Sequence, residues 1–165
     1  MSEIRIRKRH RLREKEIKVL DEEIRTRLGA DAFRPGEAVD RAESSDFDVL
    51  FIGSEVQGIV YQGKAFLTVR GLLKNPASKA YVVVDMGAVP FVTKGADVMG
   101  PGIVDADPGI APGDLVWIKD IKNGRPLAIG EALVSGEQMR TRSPGKAIKN
   151  IHYVADKLWK VDEDQ

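Results

Sequence analysis

The sequence predicts an α+β protein, of one domain or two small ones, with a helix and strands in its first half and a small barrel or sandwich in its second. Three observations carry this expectation. One amphipathic helix lies near the start, three strand-like apolar segments follow it within residues 46–69, and the second half consists of short apolar runs punctuated by turn residues.

The helix is expected over residues 11–28, where Ile17, Leu20, Ile24 and Leu28 recur at spacings of three and four and Gly29 supplies a stop. Residues 30–46, "ADAFRPGEAVDRAESSD", are polar and turn-rich and read as a surface loop. Strands follow over 46–53, 55–62 and 64–69, broken at Gly53-Ser54 and Gly63. A short helical turn through Gly71-Leu72-Leu73 ends at Asn75-Pro76, because a residue before proline is pushed out of helical geometry.

In the second half, strands are expected over 79–85, 114–120, 125–134 and 146–154, with Asn123-Gly124 as a hairpin signal. The stretch 84–104, "VDMGAVPFVTKGADVMGPGIV", reads as strand, short helix, strand. Pro90 is tolerated only in a first turn, so the helix starts near Gly87. It runs to Lys94, where a cation suits the helix dipole, and Gly95 caps it in the left-handed region. A short strand through Met99 then meets the turn Gly100-Pro101-Gly102.

The 165 residues are 42% hydrophobic, enough for a packed core, and include no cysteine, which rules out disulfides and thiolate metal sites. The first sixteen residues are charged from the third onward and contain no apolar signal-peptide core. No stretch approaches the roughly 18–20 apolar residues of a membrane span. A cytoplasmic protein without membrane contact is therefore expected. Net charge is only +1, yet Arg5 to Lys15 is basic, 31–55 is acidic, and Arg140 to Lys149 is basic again. Local basic patches create phosphate affinity even when total charge is near zero. The first basic run is either an RNA arm or a solvated strand and helix face, and the acidic region beside it weighs toward the latter.

Catalytic patterns are absent. His10 and His152 are far apart in sequence, and Ser143 has no identifiable base. Asp85, Asp105 and Asp107 read as caps or solvated loop residues rather than a metal site. "SPGKA" lacks the upstream glycine of a phosphate-binding loop. The expectation is a protein that is not an enzyme and carries neither metal nor cofactor.

The ordered set Val84-Asp85, Gly87-Ala88, Lys94-Gly95-Ala96, Pro101-Gly102, Gly113-Asp114 and Ala128-Ile129-Gly130 resembles the PUA domain, a small pseudo-β-barrel named after pseudouridine synthases and archaeosine transglycosylases. The ending "GKAIKNIHYVADKLW" (residues 145–159) resembles that of the malignant-T-cell-amplified-sequence family of translation proteins, and the PUA half of ligatin, a related initiation factor, is similar. Those proteins carry a small α/β pre-PUA domain ahead of the PUA domain, so the resemblance implies a pre-PUA domain over residues 1–76, a PUA domain over 77–159 and a polar tail over 160–165. Tyr153 and Trp159, within the matching ending, read as core or barrel-closing residues.

The resemblance implies RNA binding near the small ribosomal subunit and tRNA, in initiation or recycling. The RNA surface it implies, carried over residue by residue, is Lys94, Gly95, Ala96, Met99, Gly100, Pro101 and Gly102. Arg140, Arg142, Lys146 and Lys149 extend that track as basic residues beside the last strand. Glycine and alanine admit a backbone close to a nucleotide, and lysine meets a phosphate. Two readings stay open for Lys94, a phosphate contact or a dipole-complementing surface lysine. Met99 is either a base contact or, more commonly for methionine, core. The leading expectation is a non-catalytic translation protein binding tRNA or small-subunit rRNA, with a translation-factor partner on the first domain. An RNA-targeting subunit for an RNA-modifying enzyme is the alternative, and a scaffold binding protein through the acidic 31–55 loop is a third.

Overall fold

The structure is a computed structural model in which residues 4–163 are described. The chain forms two compact units, Met1–Ala77 with Lys157–Gln165, and Ser78–Asp156.

Unit 1 is a five-stranded antiparallel sheet, β1 (Arg7–Arg11), β2 (Val39–Glu43), β3 (Asp48–Ile52), β4 (Glu55–Tyr61) and β5 (Lys64–Leu67), in that spatial order. Helix α1 (Glu14–Leu28) packs by Leu20, Ile24 and Leu28, each worth about 1.5–3 kcal/mol when fully buried. It begins later than expected, since residues 7–11 belong to β1. The Glu16 carboxylate accepts the Arg13 backbone N–H at 3.0 Å at its start. Its end is set by Gly29, at φ 64 with its N–H on the Arg25 carbonyl. Helix α2 (Val69–Lys74) opens on Thr68, whose hydroxyl accepts the Gly71 N–H at 3.1 Å.

Four expectations are corrected here. Residues 30–46 are not a loop throughout, because 39–43 form β2. Its sequence, VDRAE, offers only Val39 and Ala42 to the buried side, too little apolar character to stand out. The acidic region 31–55 accordingly contains two strands rather than forming a free interface loop. The chain after unit 2 is not a polar tail either, and Trp159 does not close the barrel. Helix α5 (Lys160–Glu163) lies with unit 1. The Asp162 carboxylate accepts the Val56 N–H at 2.9 and 3.1 Å and sits 3.0 Å from Arg70 Nε. The Arg70 guanidinium lies 3.9 Å from the Trp159 ring centroid and donates to the Trp159 carbonyl. Asp164 and Gln165 of the expected tail lie outside the described residues.

Unit 2 is a six-stranded sheet curled into a near-barrel. Its strands are β6 (Tyr81–Val84), β7 (Val98–Met99), β8 (Ile103–Ala106), β9 (Leu115–Asp120), β10 (Pro126–Ala132) and β11 (Lys146–Tyr153). Their spatial order is β7-β11-β10-β9-β6-β8, antiparallel except for the parallel β6/β9 pair. Val82, Val84, Val98, Ile103, Ile118 and Ile148 meet in one buried cluster. Asn123-Gly124 turns the β9/β10 hairpin as expected, with Gly124 at φ 65. Helix α4 (Gly136–Arg140) was not anticipated; it opens on Ser135 and buries Met139.

The helix α3 (Val89–Val92) is shorter than expected and begins two residues after Gly87. Thr93 rather than Gly95 is its cap, and Lys94 lies beyond it. A 3-10 turn over Gly100–Gly102 joins β7 to β8.

Candidate functional site

The stretch between β6 and β8 frames an open cleft of about 630 Å3 in unit 2. Its walls are α3, the loop that follows, the Gly100–Gly102 turn and the first residue of β11. Val92 anchors α3 in the core, while Phe91, one position earlier, is 66% exposed at the cleft. Met99 is 46% exposed and Pro101 is exposed as well, so Met99 is not core.

Each wall is tied down by side chains distant in sequence. Asp85 Oδ1 accepts the Ala88 N–H at 2.9 Å and so holds the start of α3. Asp85 Oδ2 accepts from Arg142 Nη2 at 3.2 Å, and Arg142 also donates to the Pro101 carbonyl through Nε and Nη2. Arg142 therefore pins the turn to the end of β6. Asn150 Nδ2 donates to the carbonyls of Val92 and Ala96, at 3.2 and 3.1 Å. Asp97 accepts the Asn150 N–H at 2.9 Å and pairs with Lys146 at 3.3 Å.

Two glycines are required by close approach. Gly95 has φ +92, and a Cβ there would lie 2.7 Å from the Tyr153 ring. Gly100 is buried, donates its N–H to the Gly145 carbonyl at 2.9 Å, and a Cβ would lie 1.7 Å from the Ser143 carbonyl oxygen. Tyr153 thus supports the loop from beneath rather than facing a ligand.

The expected residues divide accordingly. Ala96, Met99, Pro101, Gly102 and Lys146 line the cleft, whereas Gly95 and Gly100 shape it. Lys94 is exposed on the adjoining loop and forms no ion pair among the described residues. Arg140 lies in α4 and pairs with Asp105 at 3.1 Å. Lys149 is exposed on β11, opposite Glu131 of β10. Three of the basic candidates therefore carry a carboxylate partner, and the site is less electropositive than the sequence implied. Such exposed pairs are worth only about 0–1 kcal/mol, so a phosphate can displace the carboxylate. Asp107 accepts the N–H groups of Ala80 and Gly109, the capping role read from the sequence. No group of three or more metal-ligating side chains occurs among the described residues.

Phe91, Asp97 and Asn150 escaped the sequence reading. The only local signal was an aromatic residue beside Pro90 in a helix whose neighbours Val89 and Val92 turn inward. The arrangement is an apolar floor with an exposed aromatic, open backbone at small residues and one unpaired lysine. It can take a flat, partly apolar group that carries negative charge at one end.

Residues 80–154 match the PUA domain, and unit 2 is thereby a PUA domain. A PUA-domain protein from Thermoplasma acidophilum has a similar structure, with TM-score 0.76 and 32% identity over 93% of this chain and 99% of that one. The chain belongs to this family of PUA-domain proteins. It is also homologous to translation machinery-associated protein 20 of Eremothecium gossypii, 29% identical over 122 residues, which are 70% of this chain and 67% of that protein. Malignant T-cell-amplified sequence 1 of Rattus norvegicus is 33% identical over 101 residues, 59% of this chain and just over half (56%) of that protein. PUA domains bind RNA, and the first of these two homologues is, by its name, associated with the translation machinery.

Proposed function

We propose that this chain is a non-catalytic, cytoplasmic RNA-binding protein of the translation apparatus that holds tRNA or small-subunit rRNA through unit 2. It acts in initiation or ribosome recycling, and unit 1 meets a translation-factor partner. The observation that carries this reading is the open cleft of the PUA domain, with Phe91 and Met99 exposed at its rim and Lys94 beside it. An aromatic with backbone-permissive neighbours suits an unpaired base, since single-stranded segments and helix ends offer stacking faces that a duplex hides. The lysine suits its phosphate. The residues proposed to touch RNA are Lys94, Ala96, Met99, Pro101 and Gly102, now with Phe91. Gly95 and Gly100 keep the backbone close, and Arg140, Arg142, Lys146 and Lys149 flank the path.

Full-length protein should bind tRNA or small-subunit RNA with micromolar or tighter affinity, weakening steeply as salt rises because phosphate contacts release counterions. Lys94→Glu should weaken binding while leaving the melting temperature nearly unchanged. No binding to either RNA at low salt would refute the proposal. Co-purification with an RNA-modifying enzyme instead of ribosomal subunits would point to a targeting subunit.

A further inference from the structure

β1 is an edge strand of the unit 1 sheet, and all five of its residues are exposed. Together β1 and β2 carry five arginine and lysine side chains against two carboxylates, Asp40 and Glu43. An edge strand ordinarily invites another strand to pair with it. Here that pairing is spoiled. Arg7 faces Glu43 while His10 faces Arg41, so β1 contains one residue too many between them, and Lys8 stands at φ 54. Such a bulge twists the edge and interrupts its hydrogen-bond ladder, which disfavours capture of a peptide strand.

The strand offers no apolar anchor either. Its sequence is RKRHR, and the nearest aromatic, Phe51, is buried beneath the Arg9 guanidinium at 3.7 Å. Protein interfaces rely on buried aromatic or aliphatic anchors, and membrane surfaces on apolar insertion. What β1 presents is organised charge. Asp40 accepts from Arg9 Nε at 2.9 Å and from Arg11 Nε at 2.5 Å, so one carboxylate holds two guanidiniums side by side. Those side chains remain 41% and 66% exposed. Arg7 forms no ion pair among the described residues, and the Lys8–Glu43 pair is loose at 3.8 Å. Beyond the bulge, alternate cations on a strand repeat at about 6.6 Å, which suits a polyanion of regular charge.

We propose that β1 is a second RNA contact, a ridge that grips the phosphate backbone without reading bases. It rests on the RNA-binding reading of this chain and adds a separate surface to it. Contacts of this kind position a nucleic acid and carry no sequence information.

The test uses the full-length chain with bulk tRNA and with poly(U), each across a salt series. Arg7→Gln with Lys8→Gln removes two charges not needed by Asp40. For single-stranded RNA, two lost contacts should lower the log–log salt slope by about 1.4 and weaken binding about 25-fold at 0.1 M salt. The loss should appear with both RNAs, and the charge-conserving pair Arg7→Lys with Lys8→Arg should retain binding. An unchanged slope and affinity, in a preparation whose wild type binds RNA and whose Lys94→Gln variant binds it less, would overturn the ridge and leave the PUA-domain reading standing. Failure of the wild type to bind either RNA would overturn both. If wild type captures polyglutamate, the Gln variant loses it and RNA affinity is unmoved, the ridge belongs to an acidic protein and the proposal is wrong.

Discussion

Replacing Asp162 by alanine should destabilise unit 1 sharply, although the residue lies in a four-residue helix distant in sequence from the sheet it serves. Its carboxylate takes both the Val56 N–H and the Arg70 guanidinium, with side chains only 9% and 19% exposed for Asp162 and Arg70. Removing one member of a buried pair costs about 3–5 kcal/mol, because the other charge is stranded. Partial exposure of Arg70 lowers that share to about 2 kcal/mol, and the orphaned Val56 N–H restores at least about 1 kcal/mol. The sum is about 3 kcal/mol, a fall in melting temperature of about 12–24 °C for a unit of this size. Trp159 fluorescence in a Trp117→Phe background reads unit 1 directly, since one tryptophan lies in each unit. Asp162→Asn keeps an acceptor for Val56 and should recover part of the loss. A shift below about 0.5 kcal/mol for the alanine variant, the level of an ordinary surface substitution, would refute the reasoning.

Phe91→Ala should weaken RNA binding about 5- to 150-fold, the value of one base–aromatic stack, with little change in thermal stability because the ring is exposed; fluorescence anisotropy and a melt check both halves. Gly100→Ala should cost about 3 kcal/mol or more, since its Cβ would enter the Ser143 carbonyl, whereas Gly87→Ala should be near neutral, its closest neighbour, Asp85 Oδ1, lying at an ordinary contact distance of 3.4 Å. Chemical denaturation of the two alanine variants compares them. Acid should weaken the β1–β2 edge. Hydrogen bonding from Arg11, with Arg9 adding to it, holds the Asp40 carboxyl below its ordinary value of 3.8. Its contribution is therefore present above that value and lost as pH falls through the lower folded one. Asp40→Asn should flatten this acid limb in a pH series of melts.

The second half was legible because turn residues punctuate it: Asn123-Gly124 and Gly100-Pro101-Gly102 lie where the chain reverses. β2 was illegible because a strand that pairs on both sides needs few apolar residues to be held by its ladder. The cleft was half legible. Small residues mark it, but its supports are long-range, and Arg142 finds Asp85 across 57 residues. No local pattern encodes that meeting, so the basic track looked more strongly charged than it is. Trp159 misled for the same reason, since burial against Arg70 and burial in a barrel leave the same trace in a sequence.

The return of residues 157–163 to unit 1 also sets an order of events during synthesis. Val56 and Arg70 emerge long before the carboxylate that completes them. At roughly 5–20 residues per second, the ribosome takes about 4–18 s to deliver Asp162 after the last residue of α2 has been made. Unit 2 is translated within that interval and can fold while its predecessor still lacks a piece. Residue for residue, the first unit to be started is the last to be finished.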